Sequence, residues 1–181
     1  MSEDVEVALR IISTPPDSVV ATEIGIVDWI VCAAPSYLAG RIPPAALASL
    51  SEHAIVCASP IGQKLKASGI RHGTSEREQV VLAPTLSSEN FAFLKDAVVS
   101  GLGIGIFPLY AVGKDLEAGT LVPLLSDYRI SVFGSRLYML TMPNRYQTMA
   151  TRYLLTFLKT ELQAIWPRMR ADSAYSENTQ D

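Results

Sequence analysis

A catalytic or metal centre needs titratable side chains that converge, and this sequence offers few of them. Its two histidines are His53, four residues before Cys57, and His72, in a polar stretch. One His-x3-Cys pair falls short of the roughly four closely spaced Cys, His, Asp or Glu ligands of a zinc site, so His53 reads as structural. No G-x-S-x-G turn presents a serine nucleophile, and no P-loop occurs. Cys32 and Cys57 each lie in a short apolar run and read as buried free thiols. These residues assign no catalytic group, no metal and no cofactor.

Two other clusters carry more information. Gly101-Leu102-Gly103-Ile104-Gly105 resembles a phosphate-cradling turn, but its order is helix, glycines, strand. A dinucleotide fingerprint runs the other way, so an anion here would meet the carbonyl end of the helix. The glycines read instead as a helix C-terminus followed by close packing of helix against strand. Ser87-Ser88-Glu89-Asn90 follows a strand and opens a helix. Ser87 and Ser88 are candidate N-caps, and hydroxyl and N–H groups at such a start also suit a carboxylate. Plain capping and anion binding both remain open from the residues alone. Arg145, Arg152 and Lys159 read as the solvated face of the last helix, and Phe91, Phe107, Tyr110 and Trp166 as core.

The elements that position these residues follow from periodicity. Val5, Val7, Leu9 and Ile11 alternate with Glu6, Ala8 and Arg10 as in a strand, which Thr14-Pro15-Pro16-Asp17 ends. Strands are predicted over 19–24, 27–33, 54–58, 80–83, 121–125 and 137–142, with a short strand about Ile104–Phe107. Short helical stretches are predicted over 45–50 and 109–114, and 64–79 reads as a loop or loose hairpin. Phe91, Leu94, Ala97 and Val98 recur at helical spacing up to Ser100, with Gly101 just past the helix end. A final amphipathic helix runs from about Thr148 to Trp166, with Ala150, Leu154, Phe157, Leu158, Leu162 and Ile165 on one face. Residues 167–181 read as a mobile polar tail. Short strands alternating with helices define an α/β fold.

The chain has 181 residues, a net charge of -3 and 49% hydrophobic residues. That suits one domain or two small lobes and excludes a disordered chain. It shows no basic excess of the kind DNA-binding domains carry. The first ten residues have no apolar signal-peptide core, and no run reaches the ~18 apolar residues of a membrane span, so the default location is the cytoplasm.

Taken in order, five segments resemble the effector-binding domain of LysR-type transcriptional regulators. They are Asp4-Val5-Glu6-Val7-Ala8-Leu9-Arg10-Ile11, Cys32-Ala33-Ala34-Pro35-Ser36-Tyr37-Leu38, Ser87-Ser88-Glu89-Asn90, Asp96 through Pro108 with its Gly-Leu-Gly-Ile stretch, and Gly119-Thr120-Leu121-Val122-Pro123-Leu124-Leu125. The resemblance covers roughly residues 4–166. It implies a two-lobed fold like a type 2 periplasmic binding protein, with residues 1–34 and 137–166 in lobe one and 35–136 in lobe two. It further implies a small-molecule effector, polar or a carboxylate, held between the lobes. Thr85, Ser87, Ser88, Asn90, Ile106, Phe107 and Pro108 would line it from lobe two, and Arg10 and Ile12 from lobe one. The family's winged helix-turn-helix and the first strand-helix-strand of lobe one have no counterpart here. The expectation is therefore an incomplete first lobe, from a natural truncation or a piece of a longer protein. Such a chain would reach DNA only through a helix-turn-helix it does not contain, would not bind a membrane, and would form a homo-oligomer. A transporter's solute-binding protein and a small α/β enzyme are the alternatives, disfavoured by the missing signal peptide and the missing nucleophile–base pair.

Overall fold

Strand alternation and helix caps translate into eleven strands and four helices among the residues described by the computed structural model, which are 7–59, 63–143 and 148–171. Val5, Arg145 and the tail beyond residue 171 lie outside them. The elements divide into two compact units.

Unit 1 takes in the described parts of Met1–Val27 and Phe133–Asp172. Its antiparallel sheet has the order β1 (Val7–Ile12), β11 (Arg136–Thr141), β2 (Val20–Ile26). β1 pairs with β11 from Val7↔Thr141 to Ile12↔Arg136. The β2 register shifts at Leu137/Tyr138, where Ile24 is the extra residue. The helix α4 (Met149–Ala171) packs on β2. Trp166 is the anchor: its Nε1–H donates to the Ile26 carbonyl at 2.8 Å, and its ring fills the space a Cβ on Gly25 would need, 2.1 Å from Cδ1. The helix continues through Pro167 instead of ending at Trp166.

Unit 2 takes in Asp28–Val132 and is built on an eight-stranded mixed sheet. Its order is β6 (Arg77–Leu82), β5 (Leu65–Arg71), β10 (Tyr128–Ser131), β3 (Trp29–Ala33), β8 (Ile104–Pro108), β4 (Ile55–Cys57), β7 (Leu86–Ser87), with β9 (Val122–Leu124) also pairing β3. The two central strands, Trp-Ile-Val-Cys-Ala and Ile-Gly-Ile-Phe-Pro, are almost wholly apolar because both of their faces are covered. The helices α2 (Phe91–Val99) and α3 (Leu109–Glu117) lay Leu94, Val98, Val112 and Leu116 over Cys32, Val56 and Phe107. The short α1 (Pro35–Leu38) follows β3, and a 3-10 turn, Leu47–Glu52, buries Leu47 and Leu50.

Trp29–Ala33 pairs with β8, β9 and β10 and so falls in unit 2, and the compact units divide at 27/28 and 132/133. Two segments are more regular than the sequence reading had them. Residues 64–79 contain most of a regular hairpin, paired from Leu65↔Leu82 to Ile70↔Arg77. The Leu109–Lys114 turn extends to Glu117 despite Gly113.

Candidate functional site

The strands β7, β4 and β8 run parallel, with Cys57 in register with both Ser87 and Ile106. Their carboxyl ends therefore share one edge of unit 2. Chain segments leave that edge at Ala58-Ser59, Ser88-Glu89-Asn90 and Leu109. Open α/β sheets bind ligands at the carboxyl ends of parallel strands, because the backbone there turns away and presents its polar groups.

The Ser-Ser-Glu-Asn segment makes two nested turns. Ser88 Oγ accepts the Asn90 N–H at 3.1 Å. Asn90, and neither serine, is the N-cap of α2: its Oδ1 accepts the N–H groups of Ala92 at 3.0 Å and Phe93 at 3.2 Å. Asparagine wins the cap because Ser87 is held in strand β7 and Ser88 is used to tighten the turn before the helix. Two of the helix's unpaired N–H donors are thus already engaged by a side chain. With Oδ1 turned to the helix, the Asn90 Nδ2 hydrogens point away from it. The Ser88 hydroxyl, its oxygen already accepting, keeps its own proton to donate.

Ser87 follows Leu86, which packs on the α2–α3 core, so alternation sends the Ser87 hydroxyl to the opposite face of the edge strand β7. Thr85 is exposed, anchored by its N–H to the Ile55 carbonyl at 2.8 Å; Ser87 and Ser88 are half-buried and Asn90 exposed. Among the described residues, the Thr85–Asn90 stretch of this edge offers hydroxyl and amide donors and one carboxylate, the exposed Glu89. It suits a ligand rich in oxygen acceptors with no more than a single negative charge.

Ile106, Phe107 and Pro108 lie at the end of β8, all buried. Phe107 sits in the α2–α3 core and Ile106 on the other face of the sheet, so their side chains are structural support beneath the polar segment. Ser59 was not foreseen. It lies two residues beyond β4, is buried, and donates to the Gln63 carbonyl at 3.2 Å; a serine soon after a short apolar strand is its only sequence signal. Arg10 and Ile12 belong to β1 of unit 1, Arg10 exposed opposite Tyr138 and Ile12 half-buried opposite Arg136.

The Gly101–Gly105 stretch is packing, as its order suggested. Gly101 adopts φ +79° just past α2, a left-handed conformation that glycine takes without strain. A Cβ on Gly105 would strike the Phe107 ring at 2.1 Å. His53 Nδ1 lies 3.4 Å from the Tyr37 hydroxyl, which accepts the Ala54 N–H at 3.1 Å. Both cysteines are free and buried. Burial, with Asp115 adding a like-sign charge, pushes the Cys32 thiol up to about 12, and burial pushes Cys57 up to about 11, so neither presents a thiolate near neutrality. Among the described residues, no three His, Cys, Asp or Glu side chains gather as metal ligands, and no helix is long and apolar enough to cross a membrane.

The LysR substrate binding domain family matches residues 1–163. The probable HTH-type transcriptional regulator LtrA of Klebsiella pneumoniae is 23% identical over 166 residues, covering 91% of this chain and 53% of that protein. The chain thus spans about half the length of that curated relative. Among solved structures, the full-length Vibrio cholerae virulence activator AphB, a member of the LTTR family, is 26% identical with a TM-score of 0.67, over 89% of this chain and 55% of that one. The regulatory domain of CrgA, a LysR-type transcriptional regulator from Neisseria meningitidis, has the same fold, with a TM-score of 0.64 at 22% identity, over 87% of this chain and 76% of that one.

Proposed function

Since the chain belongs to the LysR substrate binding domain family, with its periplasmic-binding-protein-like fold, we propose that it is the effector-sensing part of a LysR-type transcriptional regulator. In this reading Thr85, Ser87, Ser88 and Asn90 contact the effector, while Ile106, Phe107 and Pro108 hold their loop in place. The resemblance adds Arg10 and Ile12 of unit 1. The observation that carries the reading is the donor cluster at the carboxyl edge of β4, β7 and β8, on a chain of this family. The effector is a small polar molecule or a monocarboxylate, since the donors are neutral and Glu89 stands beside them. No catalytic step is assigned. The regulator acts in the cytoplasm as a homo-oligomer, and DNA is engaged through a helix-turn-helix of the kind named in its relatives, not through the sensor. Those relatives are named as regulators, which favours this reading over a transport protein.

The experiment is a thermal-unfolding and calorimetric screen of the chain against small carboxylates, amino-acid derivatives and neutral polyols. A compound at ~100 times its dissociation constant stabilises by about 2.7 kcal/mol. Asn90→Asp separates binding from capping: it keeps the oxygen that caps α2 but removes the Nδ2 donors. Its affinity is expected to fall about 10-fold or more, the scale of a lost ligand hydrogen bond, while its unfolding temperature without ligand stays near wild type. Arg10→Ala tests the unit 1 contribution by the same titration. Binding left unchanged in both Ser88→Ala and Asn90→Asp would falsify the assignment of the site.

A further inference from the structure

The strands β10, β5 and β6, at one end of the unit 2 sheet, have one covered face and one open face. Leu65, Ala67 and Gly69 of β5 turn to the covered face, where a Cβ on Gly69 would meet Tyr128, Ile130 and Leu47. The Leu47–Glu52 turn also packs on β6. Alternation sends Lys66, Ser68 and Ile70 to the other face. The register sets their cross-strand neighbours beside them: Ile70 lies between Arg77 of β6 and Arg129 of β10, Ser68 between Gln79 and Ser131, and Lys66 beside Val81. Lys66, Arg77, Gln79, Val81 and Arg129 are exposed, while Ser68, Ile70 and Ser131 are half-buried.

This open face carries one sign of charge. Its charged residues are Lys66, Arg77 and Arg129, on a chain whose net charge is -3. Among the described residues the ion pairs use Arg71, Lys95 and Arg136, so none of the three cations has a carboxylate partner. The carboxylates nearest to them along these strands are engaged elsewhere. Glu78 accepts the Tyr128 hydroxyl at 3.0 Å on the covered face, and Asp127 pairs with Arg71 at 3.0 Å. Soluble surfaces ordinarily intersperse both signs. Neighbouring strands lie about 4.8 Å apart, so the Arg77 and Arg129 backbones are separated by about 10 Å, and four residues of strand put Lys66 about 13 Å from their row.

The residues between the cations select the partner. Ile70 and Val81 are apolar, Val81 with 56% of its surface in water, and Ser68, Ser131 and Gln79 keep the middle of the face low and hydrogen-bonding. A nucleic-acid backbone would find only three cations here, and affinity for it grows with the number of phosphates neutralised. It would also offer nothing apolar to Val81, and the chain's net charge would oppose it. A peptide with carboxylates about 10–13 Å apart and an apolar side chain between them meets every group: carboxylates on the cations, the apolar side chain on Ile70 and Val81. In an extended segment that spacing corresponds to acidic residues three or four positions apart. We propose that the open face of β10, β5 and β6 is a docking surface for an acidic segment of another protein, held by Arg77, Arg129 and Lys66 through charge complementarity.

The test is fluorescence anisotropy of the full chain at low salt with a short labelled peptide of repeating Glu-Glu-Leu units. Its Gln-Gln-Leu counterpart and a short DNA duplex are the comparisons. The acidic peptide is expected to bind saturably and to weaken as salt screens the contact, and the glutamine peptide to bind at least about 10-fold more weakly. Arg77→Glu and Arg129→Glu should each weaken it about 5-fold, since each loses an exposed ion pair and gains a repulsion. Val81→Ser should weaken it about 3-fold through lost apolar contact. Lys114→Glu makes the same charge change at an exposed residue of α3, away from this face, and should change affinity less than about 2-fold. Thermal unfolding checks that each variant folds; Arg77→Gln and Arg129→Gln, which add no charge, replace any reversal that does not. No saturable binding, equal binding of the glutamine peptide, an equal loss in Lys114→Glu, or tighter binding of the duplex with loss in the same variants would each overturn the proposal.

Discussion

The two units solve the same burial problem to different degrees. Unit 2 holds all twelve of the largest fully buried side chains, from Phe107, Leu47 and Leu50 to Val56 and Val98. Its sheet carries α2 and α3 on one face and the Leu47–Glu52 turn with the β5–β6 hairpin among its other contacts. Unit 1 has a three-stranded sheet and one helix, with Trp166, Ile24, Val27, Leu137, Met139 and Leu140 as its buried apolar residues. Leu9, Val20, Tyr153 and Phe157 stay in water. Hydrophobic stabilisation scales with the apolar area removed from water. Unit 2 should therefore hold most of the chain's stability, while unit 1 leaves more of its apolar surface in water. The two tryptophans report on the units separately, Trp29 from unit 2 and Trp166 from unit 1.

The sharpest test sets one phenylalanine against another. Phe107→Ala opens a cavity in the α2–α3 core and should cost about 3–5 kcal/mol. Phe157→Ala, in dilute protein, should change stability by less than about 0.5 kcal/mol. Denaturant unfolding measures both. Similar losses for the two would mean that unit 1 is as well packed as unit 2.

Alkali should separate the units as well, because both cysteines lie in unit 2. The Cys32 thiol rises from the ordinary 9.0 to about 12 on folding. The folded state therefore keeps a proton that the unfolded chain gives up. That stability is complete below pH ~9 and is lost as pH rises through 9 towards 12, by about 2 kcal/mol near pH 10.5. Trp29 emission should report the loss before Trp166 does. Cys32→Ala should flatten the decline; an unchanged decline would place the cause elsewhere.

A smaller effect probes unit 1 at its anchor. Gly25→Ala would place a methyl group inside the Trp166 ring, and overpacking of this kind costs about 1–3 kcal/mol. Trp166 emission should shift to the red with Trp29 unchanged. A shift in both would show that the units do not respond separately.

The contrast also explains what could be read from sequence. Unit 2's central strands and α2 were legible because large apolar residues mark their buried faces. The β5–β6 hairpin was not, since the inward positions after Leu65 are Ala67 and Gly69, the latter packed against Tyr128, Ile130 and Leu47. Small residues bury a face without leaving hydrophobic alternation to detect. The four-residue β10 is too short to show a period. On α4, Leu158 and Leu162 were grouped with Leu154, Phe157 and Ile165 because the two apolar flanks adjoin, and only packing tells the covered flank from the open one. At the candidate site the donor residues were visible as a Ser-Ser-Glu-Asn cluster, but which of them caps the helix depended on where β7 ends.

The smallest effect ties a surface ion pair to a buried thiol. Asp115 accepts from Lys95 Nζ at 3.1 Å, joining α3 to α2 with both side chains partly exposed, and such a pair contributes under about 1 kcal/mol. Asp115→Asn should lose that amount near neutral pH. The same carboxylate raises the Cys32 pKa, so its removal lets the thiol ionise more easily in the folded state. The mutant's stability should then fall less steeply above pH ~9 than the wild type's, and its deficit should shrink as pH rises. Parallel stability–pH curves would show that Asp115 acts only through Lys95 and leaves the thiol's ionisation to burial alone.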